Sequence, residues 1–413
     1  MQRTLLLIAL LACVVMLTAQ TYTIEQLVGH GVQNATAIKQ ELLDELSTRS
    51  SLRSSFYNFL PQASVGYDFS NNNHGNETYS SRLSISKTIS LQDDDWYEYH
   101  RQYAYLAIAE MSLDDLRKQI AYSVVSLYLD VLEGQRTREI LQQQLGMEEK
   151  TREQTQILYD ADKRSLLDLK QSEINLIDAR IAVDQQELSL RNTRQNLFHL
   201  LNMEDQGWPL QDPQLDLEAP AMTWQKPLSI RIEEENIDAA GITLRESLMQ
   251  FWPNVSLSAS WNYGASGPEA GDPFDTDLLE DSYTVSVGVS YDLLNWLTHG
   301  ESYRRQKWSL RRQKLGLDDN LRQNKLDFEQ KLADWQLQRA THDLYLQRLD
   351  LAADNYELAQ EKYRLGILNF LDAEQARLDY TQAQIAANTS HFNLLRTREE
   401  LNLLLSRPIL GQW

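Results

Sequence analysis

The sequence predicts a mainly α-helical chain that also carries transmembrane β-structure, built as two copies of one unit. Three observations predict it. The 413 residues include only 16 glycines and 9 prolines, and scarce breakers favour long uninterrupted helices. Short segments of strict apolar–polar alternation, the period of a half-buried strand, interrupt the helical pattern. Self-comparison then lays the first half of the chain on the second.

The repeat is carried by Tyr159–Asp168, which resembles Tyr363–Asp372 at an offset of 204. The same offset pairs Tyr99, Arg101 and Gln102 with Tyr303, Arg305 and Gln306, and Leu201 with Leu405. Upstream, Phe59-Leu60-Pro61 matches Phe251-Trp252-Pro253 at an offset of 192, so 12 residues are inserted in the polar segment after Tyr263. Loops are where insertions are tolerated. The expected organisation is therefore a leader (1–19), a first repeat (20–201), a linker (202–227) holding Pro209, Pro213, Pro220 and Pro227, a second repeat (228–406) and a tail (407–413). Each repeat reads helix, proline, strand, loop, strand, long helix, turn, helix.

The leader reads as a secretory signal, with Arg3 as its positive end, an apolar run Leu5–Leu17 and small residues Thr18-Ala19 for cleavage. Leu10-Leu11-Ala12-Cys13 offers lipidation at Cys13 as the alternative; the apolar run that continues to Leu17 favours cleavage near Ala19. Cys13 is the only cysteine, so its removal would leave no thiol chemistry. No later stretch approaches the length of a transmembrane helix.

Strands are expected at about 62–70, 81–90, 254–263 and 283–293. Ala63, Val65, Tyr67 and Phe69 share one face of the first; Val255, Leu257, Ala259, Trp261 and Tyr263 one face of the third; Tyr283, Val285, Val287, Val289 and Tyr291 one face of the fourth. The second is interrupted by Lys87. An ordinary soluble sheet alternates in the same way. Strand length, a small uncharged polar face and aromatic residues at the strand ends (Tyr67, Phe69, Trp261, Tyr263, Tyr283, Tyr291) point instead to a sheet with one face in lipid. Four strands cannot close a barrel, and open edges in lipid leave backbone groups unsatisfied. Pooling about eight strands leaves an interior filled by side chains, and about twelve leave a pore, so a pore requires at least a trimer.

The long helices are expected at about 94–159 and 297–363, near 100 Å each at 1.5 Å per residue, with return helices at about 164–201 and 368–406. A leading helix covers Tyr22–Phe59, with Thr23 as N-cap and Gln26 at capping-box spacing. Stripes such as Leu344, Leu351 and Leu358, and Leu166, Ile174 and Ile181, read as coiled-coil packing. Asp93-Asp94-Asp95 reads as charge at a helix N-terminus. The loop acids Glu269, Asp272, Asp275, Asp277, Glu280 and Asp281 match no calcium-ligand spacing and read as a solvated loop. The net charge of −20 argues against a nucleic-acid partner. No phosphate loop, metal-spaced histidine pair or cysteine nucleophile is present, so neither enzyme chemistry nor a cofactor or metal is expected. The rival to a channel is an elongated periplasmic or surface coiled-coil scaffold.

With Thr23-Ile-Glu-Gln, the junctions at Pro61 and Pro253, the turn Tyr363-x-x-Gly366-x-x-Asn-x-x-Asp372 and two strands per repeat, the chain resembles the TolC family of outer-membrane efflux proteins. The resemblance implies a homotrimer in which each chain gives four strands to a twelve-stranded β-barrel in outer-membrane lipid and its helices to a periplasmic α-barrel. It also implies docking to a periplasmic adaptor and an inner-membrane transporter. For the gate it implies an acidic ring at Asp372, thinned by Gln375, and a pairing of Tyr363 with Asp168. A gate arginine often found in the family is replaced by Leu368, and Arg164 in the first repeat stands at the equivalent place as a substitute.

Overall fold

The computed structural model describes residues 21–71, 77–213, 223–267, 280–291, 295–365 and 367–410. The leader with Cys13, the loop acids Glu269, Asp272, Asp275 and Asp277, and Gly366 fall outside them. In chain order the elements are α1 (Ile24–Asn34), α2 (Thr36–Tyr57), β1 (Gln62–Asn71), β2 (Glu77–Ser90), α3 (Asp95–Asp160), α4 (Leu166–Leu200), α5 (Leu228–Met249), β3 (Asn254–Gly267), β4 (Glu280–Ser290), α6 (Asn295–Arg364) and α7 (Phe370–Leu404). Two compact units cut across the repeats: one of Met1–Gln40, Asp114–Pro227 and Gln323–Trp413, the other of Glu41–Leu113 and Leu228–Arg322.

Thr23 caps α1 as its spacing suggests: the Gln26 amide N–H donates to Thr23 Oγ1 and the Thr23 N–H to Gln26 Oε1, both at 3.3 Å. The leading helix is not continuous to Phe59. It breaks at Ala35, whose ψ of 137° leaves the helical region. The sequence carries no proline there. Before the break α1 packs closely on α3: a Cβ on Gly31 would come within 2.9 Å of the Val124 side chain and 3.1 Å of Leu201, and Val28, Val124, Val125 and Leu129 are fully buried.

The first compact unit is closed by a clasp the linker composition did not announce. Tyr22 pairs in parallel with Leu210; its N–H donates to the Pro209 carbonyl and the Gln211 N–H donates to its own carbonyl, both at 3.0 Å. The buried Tyr128 hydroxyl donates to the Tyr22 carbonyl at 3.1 Å and to that of Gln211. Burial pushes this hydroxyl above the usual tyrosine range, so it remains a donor.

The second unit holds the sheet, four antiparallel strands in the order β1-β2-β3-β4. β2 begins earlier than the alternation suggests. β4 takes Glu280 and Asp281 out of the expected loop and ends at Ser290, so Tyr291 lies one residue past the ladder. The two helix–strand junctions share one geometry. Phe59 and Leu60 donate to carbonyls three residues back (3.1 and 3.0 Å), as do Phe251 and Trp252 (3.2 and 3.0 Å), and Pro61 and Pro253 then enforce extended chain. Phe59 meets Tyr99 edge-on at 6.1 Å, and Phe251 meets Tyr303 edge-on at 6.1 Å. Asp93 Oδ1 accepts the Asp95 N–H at 3.3 Å where the chain enters α3.

Tyr128→Phe takes the donor from the buried Tyr22 carbonyl as well as from that of Gln211, and such a loss costs about 1–3 kcal/mol. Chemical denaturation of the detergent-purified protein should show the loss. An unchanged midpoint would mean that the clasp contributes nothing.

Candidate functional site

The sheet register sorts every strand residue onto one of two faces. On one face the rows run Val65–Leu83–Tyr263, Ala63–Ile85–Trp261–Tyr283, Ala259–Val285 and Ile89–Leu257–Val287, with Val255 opposite Val289. On the other they run Ser64–Ser84–Asn262–Ser282, Gln62–Ser86–Ser260–Thr284, Thr88–Ser258–Ser286 and Ser90–Ser256–Gly288. The apolar face is uncovered: Val65 is 83% exposed and Tyr283 81%. From Val255 to Tyr263 it extends about 27 Å at roughly 3.4 Å per residue, of the order of the ~25 Å apolar band of a membrane barrel. The hydroxyl face bonds to itself, Ser64 to Ser84 at 2.7 Å and Ser258 to Ser286 at 2.6 Å.

Lys87 falls in the middle of the apolar face, opposite Ala259. Its ammonium does not stay there: it donates to the Asn58 carbonyl and lies 3.6 Å from the Asp95 carboxylate, both at the helix junction. The stem covers apolar surface while the head leaves it. Five of the expected aromatic residues, Tyr67, Phe69, Trp261, Tyr263 and Tyr283, lie on the apolar face in the half nearer the loops, where Trp261 and Tyr263 stack with centroids 6.0 Å apart. The other end is marked by exposed Trp96, Trp252 and Trp296. These sit in helices or at a junction, so strand alternation did not find them.

The helix turns belong to the first unit, and they too repeat. The Lys163 N–H donates to the Leu158 carbonyl at 2.8 Å, and the Ile367 N–H to that of Lys362 at 2.9 Å. Asp168 and Asp372 then occupy the same local role. Asp168 accepts the Ser165 N–H at 3.3 Å while its own N–H donates to Ser165 Oγ at 3.1 Å. Asp372 accepts from Asn369 Nδ2 and donates its N–H to Asn369 Oδ1, both at 2.8 Å. Each carboxylate lies in the first turn of a helix, where the dipole favours it. No hydrogen bond joins Tyr363 to Asp168, because the latter is engaged with its cap. Instead the Arg164 guanidinium covers the Tyr363 ring at 4.5 Å and Phe370 meets that ring edge-on at 6.2 Å. The Tyr363 hydroxyl has no hydrogen-bond partner among the described residues. Gln375 donates to Asp379 at 2.8 Å.

Residues 228–407 match the model of a protein family described as outer membrane efflux protein. Over that stretch, a little under half of its length, the chain is similar to outer membrane efflux proteins. Solved structures extend the likeness in fold over both repeats. The Campylobacter jejuni CmeC outer membrane channel superposes with a TM-score of 0.79 at 14% identity, covering 92% of this chain and 85% of that one. The Vibrio cholerae outer membrane protein VceC gives 0.76 at 15% identity, covering 92% and 94%. The Neisseria gonorrhoeae MtrE outer membrane channel in its open state gives 0.77 at 16% identity, covering 93% and 89%. No curated protein sequence matches the chain.

Two features of the helical unit go beyond the sequence reading. The expected stripes extend into exposed seams: Leu337, Leu344, Leu351 and Leu358 recur every seven residues along α6, with Leu365 just past its end, and Leu167, Ile174, Ile181 and Leu188 do so along α4. Coiled-coil packing within one chain therefore accounts for only part of the expected stripes: Leu169 and Ala359 are buried, while these two seams are not. The other feature is a buried charge cluster behind the turns. Arg377 of α7 pairs with Glu148 of α3 and with Glu374, and Asn175 of α4 donates to Glu374 at 2.7 Å. The three charged residues are 3%, 1% and 8% exposed. Burial lowers Arg377 to about 10, which leaves it a cation at neutral pH. Sequence periodicity cannot reveal this cluster, since Glu148 and Arg377 meet only in the tertiary structure.

Asp372→Ala removes half of a reciprocal cap, and losing a cap costs about 1 kcal/mol. Amide exchange at Phe370–Ala373 should quicken about fivefold by hydrogen–deuterium exchange. Unchanged exchange would assign the carboxylate no capping role.

Proposed function

We propose that this chain is one subunit of a homotrimeric outer-membrane duct and not an enzyme. It passes substrates delivered by a periplasmic adaptor and an inner-membrane transporter, as in a tripartite efflux or type I secretion system. The observation that carries the reading is the sheet: one exposed face mostly apolar, with Lys87 departing from it and Ser81, Asn71 and Asp281 toward its loop end, an opposite face whose inner rows are mostly hydroxyls, and no further strand beside β1 or β4 among the described residues. Lipid satisfies the first face, water the second, and two more copies the edges. The scaffold alternative has no use for an apolar sheet face left bare.

The two exposed heptad seams support the same assembly. A seam on α6 and a different seam on α4 make a head-to-tail contact, which closes into a ring when the rotation per subunit allows. Replacing Leu351 with Glu puts a charge in that seam, and the detergent-purified protein should lose oligomer on native gels while a matched surface variant, Arg322→Glu, does not. Wild-type assembly of Leu351→Glu would remove α6 from the interface.

Within such a ring three Asp372 carboxylates face one another at the turns, and nearby like charges attract cations. In planar bilayers the wild type should conduct and favour cations over anions. Asp372→Ala should reduce that preference. A wild type without conductance would overturn the duct, and a variant of unchanged selectivity would overturn the acidic ring.

A further inference from the structure

The basic residues of this acidic chain are not spread evenly. Its net charge is −20, yet six of its 39 lysines and arginines fall within Arg304–Lys314 of α6, and no acid lies between Glu301 and Asp318. All six are exposed. Arg304 pairs with Glu301 at 2.8 Å. Arg305, Lys307, Arg311, Arg312 and Lys314 form no ion pair or side-chain hydrogen bond with any described residue. Like charges three and four positions apart, as in the series Arg304, Lys307, Arg311 and Lys314, weaken a helix. The face is thus one that an anion from outside the helix stabilises.

The first repeat carries no such face. The positions 204 residues earlier are His100, Arg101, Tyr103, Ala107, Ile108 and Glu110. Arg101, the one arginine or lysine among them, is taken up by Glu98 and Glu246, and Glu110 pairs with Arg49 at 3.2 Å. A long helix that follows a strand in this fold therefore needs no basic face.

At about 100° per residue, α6 divides into distinct sides over this stretch. One side is packed: Tyr303 meets Phe251 edge-on, and Gln306, Ser309 and Gln313 line a recess shared with Asn236 and Thr243 of α5. The side opposite holds exposed Leu297, Trp308 and Leu315. Between these sides run two flanks, Arg305 with Arg312 and Lys307 with Lys314, each pair seven residues apart. In a closed ring of helices each helix has neighbours on two opposite sides and meets water on the other two. The packed side and the Trp308 side are the neighbour positions, so one flank turns to the axis and the other to the outside. Both flanks are basic, so the axis meets cations whichever flank it is.

We propose that this stretch of α6 lines the duct with a basic collar, two cations from each chain of the ring, and that the solutes the duct carries are anions bearing carboxylate, sulfate or phosphate groups. A water-filled conduit lined by one sign of charge concentrates solutes of the other. The inference rests on the duct reading above and adds the class of solute to it.

Recording of the full-length protein in planar bilayers of neutral phosphatidylcholine at low salt tests the collar with two double variants, Arg305→Gln with Arg312→Gln and Lys307→Gln with Lys314→Gln. Inorganic tripolyphosphate is the anionic probe, and it should block the wild-type current. At least one double variant should need about fivefold more probe for half block, which is the loss of one close contact between unit charges in water. The same variant should shift the reversal potential toward greater cation preference, opposite in sign to the change expected for Asp372→Ala. At about 1 M salt, where the screening length is about 3 Å, the difference should vanish. The collar is overturned if both double variants match wild type in block and selectivity. It is also overturned if they differ from wild type only in bilayers of anionic phosphatidylglycerol, which would assign the face to lipid headgroups. Should a double variant fail to assemble, its two single substitutions carry the same test. A wild type that never conducts refutes the duct instead, and so is told apart from failure of the collar.

Discussion

A backbone in hydrocarbon must have its N–H and C=O groups paired, and a strand edge cannot pair them alone. That constraint shapes the rest of this molecule. It makes a four-stranded sheet a fragment rather than a structure. The chain exposes an apolar sheet face that none of its described residues covers, and heptad seams on α4 and α6 run uncovered as well. Sheet and helices both leave apolar surface bare in one chain, which is what the proposed trimer would cover. The hydroxyl face follows from the same geometry. A wall of serine, threonine and asparagine satisfies its polar groups within itself and with water, and over its inner rows it carries no charge to hold a solute of either sign.

The junctions are where two incompatible periodicities have to meet. Residues ahead of Pro61 and Pro253 finish a helix, and residues after them alternate every second position. The same aromatic pair, Phe59 with Tyr99 and Phe251 with Tyr303, braces each change. Lys87 adds to this bracing. A charged side chain on an apolar row leaves it where it can, and here it leaves toward Asn58 and Asp95. The interruption in the alternation of β2 is thus a tether between sheet and helix.

What was legible in the sequence was local or periodic. Strand faces were readable because each side chain's face is fixed by its own position. The capping box at Thr23 was readable because it spans three residues. Asp168 and Asp372 were found as turn acids, but their pairing with Ser165 and Asn369 is a matter of rotamer, and the expected bond from Tyr363 to Asp168 gives way to the stacking of Arg164 on that ring. The break at Ala35 carries no proline or glycine to announce it. The clasp of Tyr22 on Leu210 and the cluster around Arg377 join residues far apart in the chain, and no window of sequence contains either. The tryptophans at the helix end of the sheet, Trp96, Trp252 and Trp296, were missed because an interfacial belt need not lie on strands.

The most direct test of the central claim is the native mass of the chain extracted from membranes in mild detergent. If strand edges dictate the assembly, the protein requires detergent for extraction and runs as three chains per particle. A particle of one chain, or release into buffer without detergent, would contradict it.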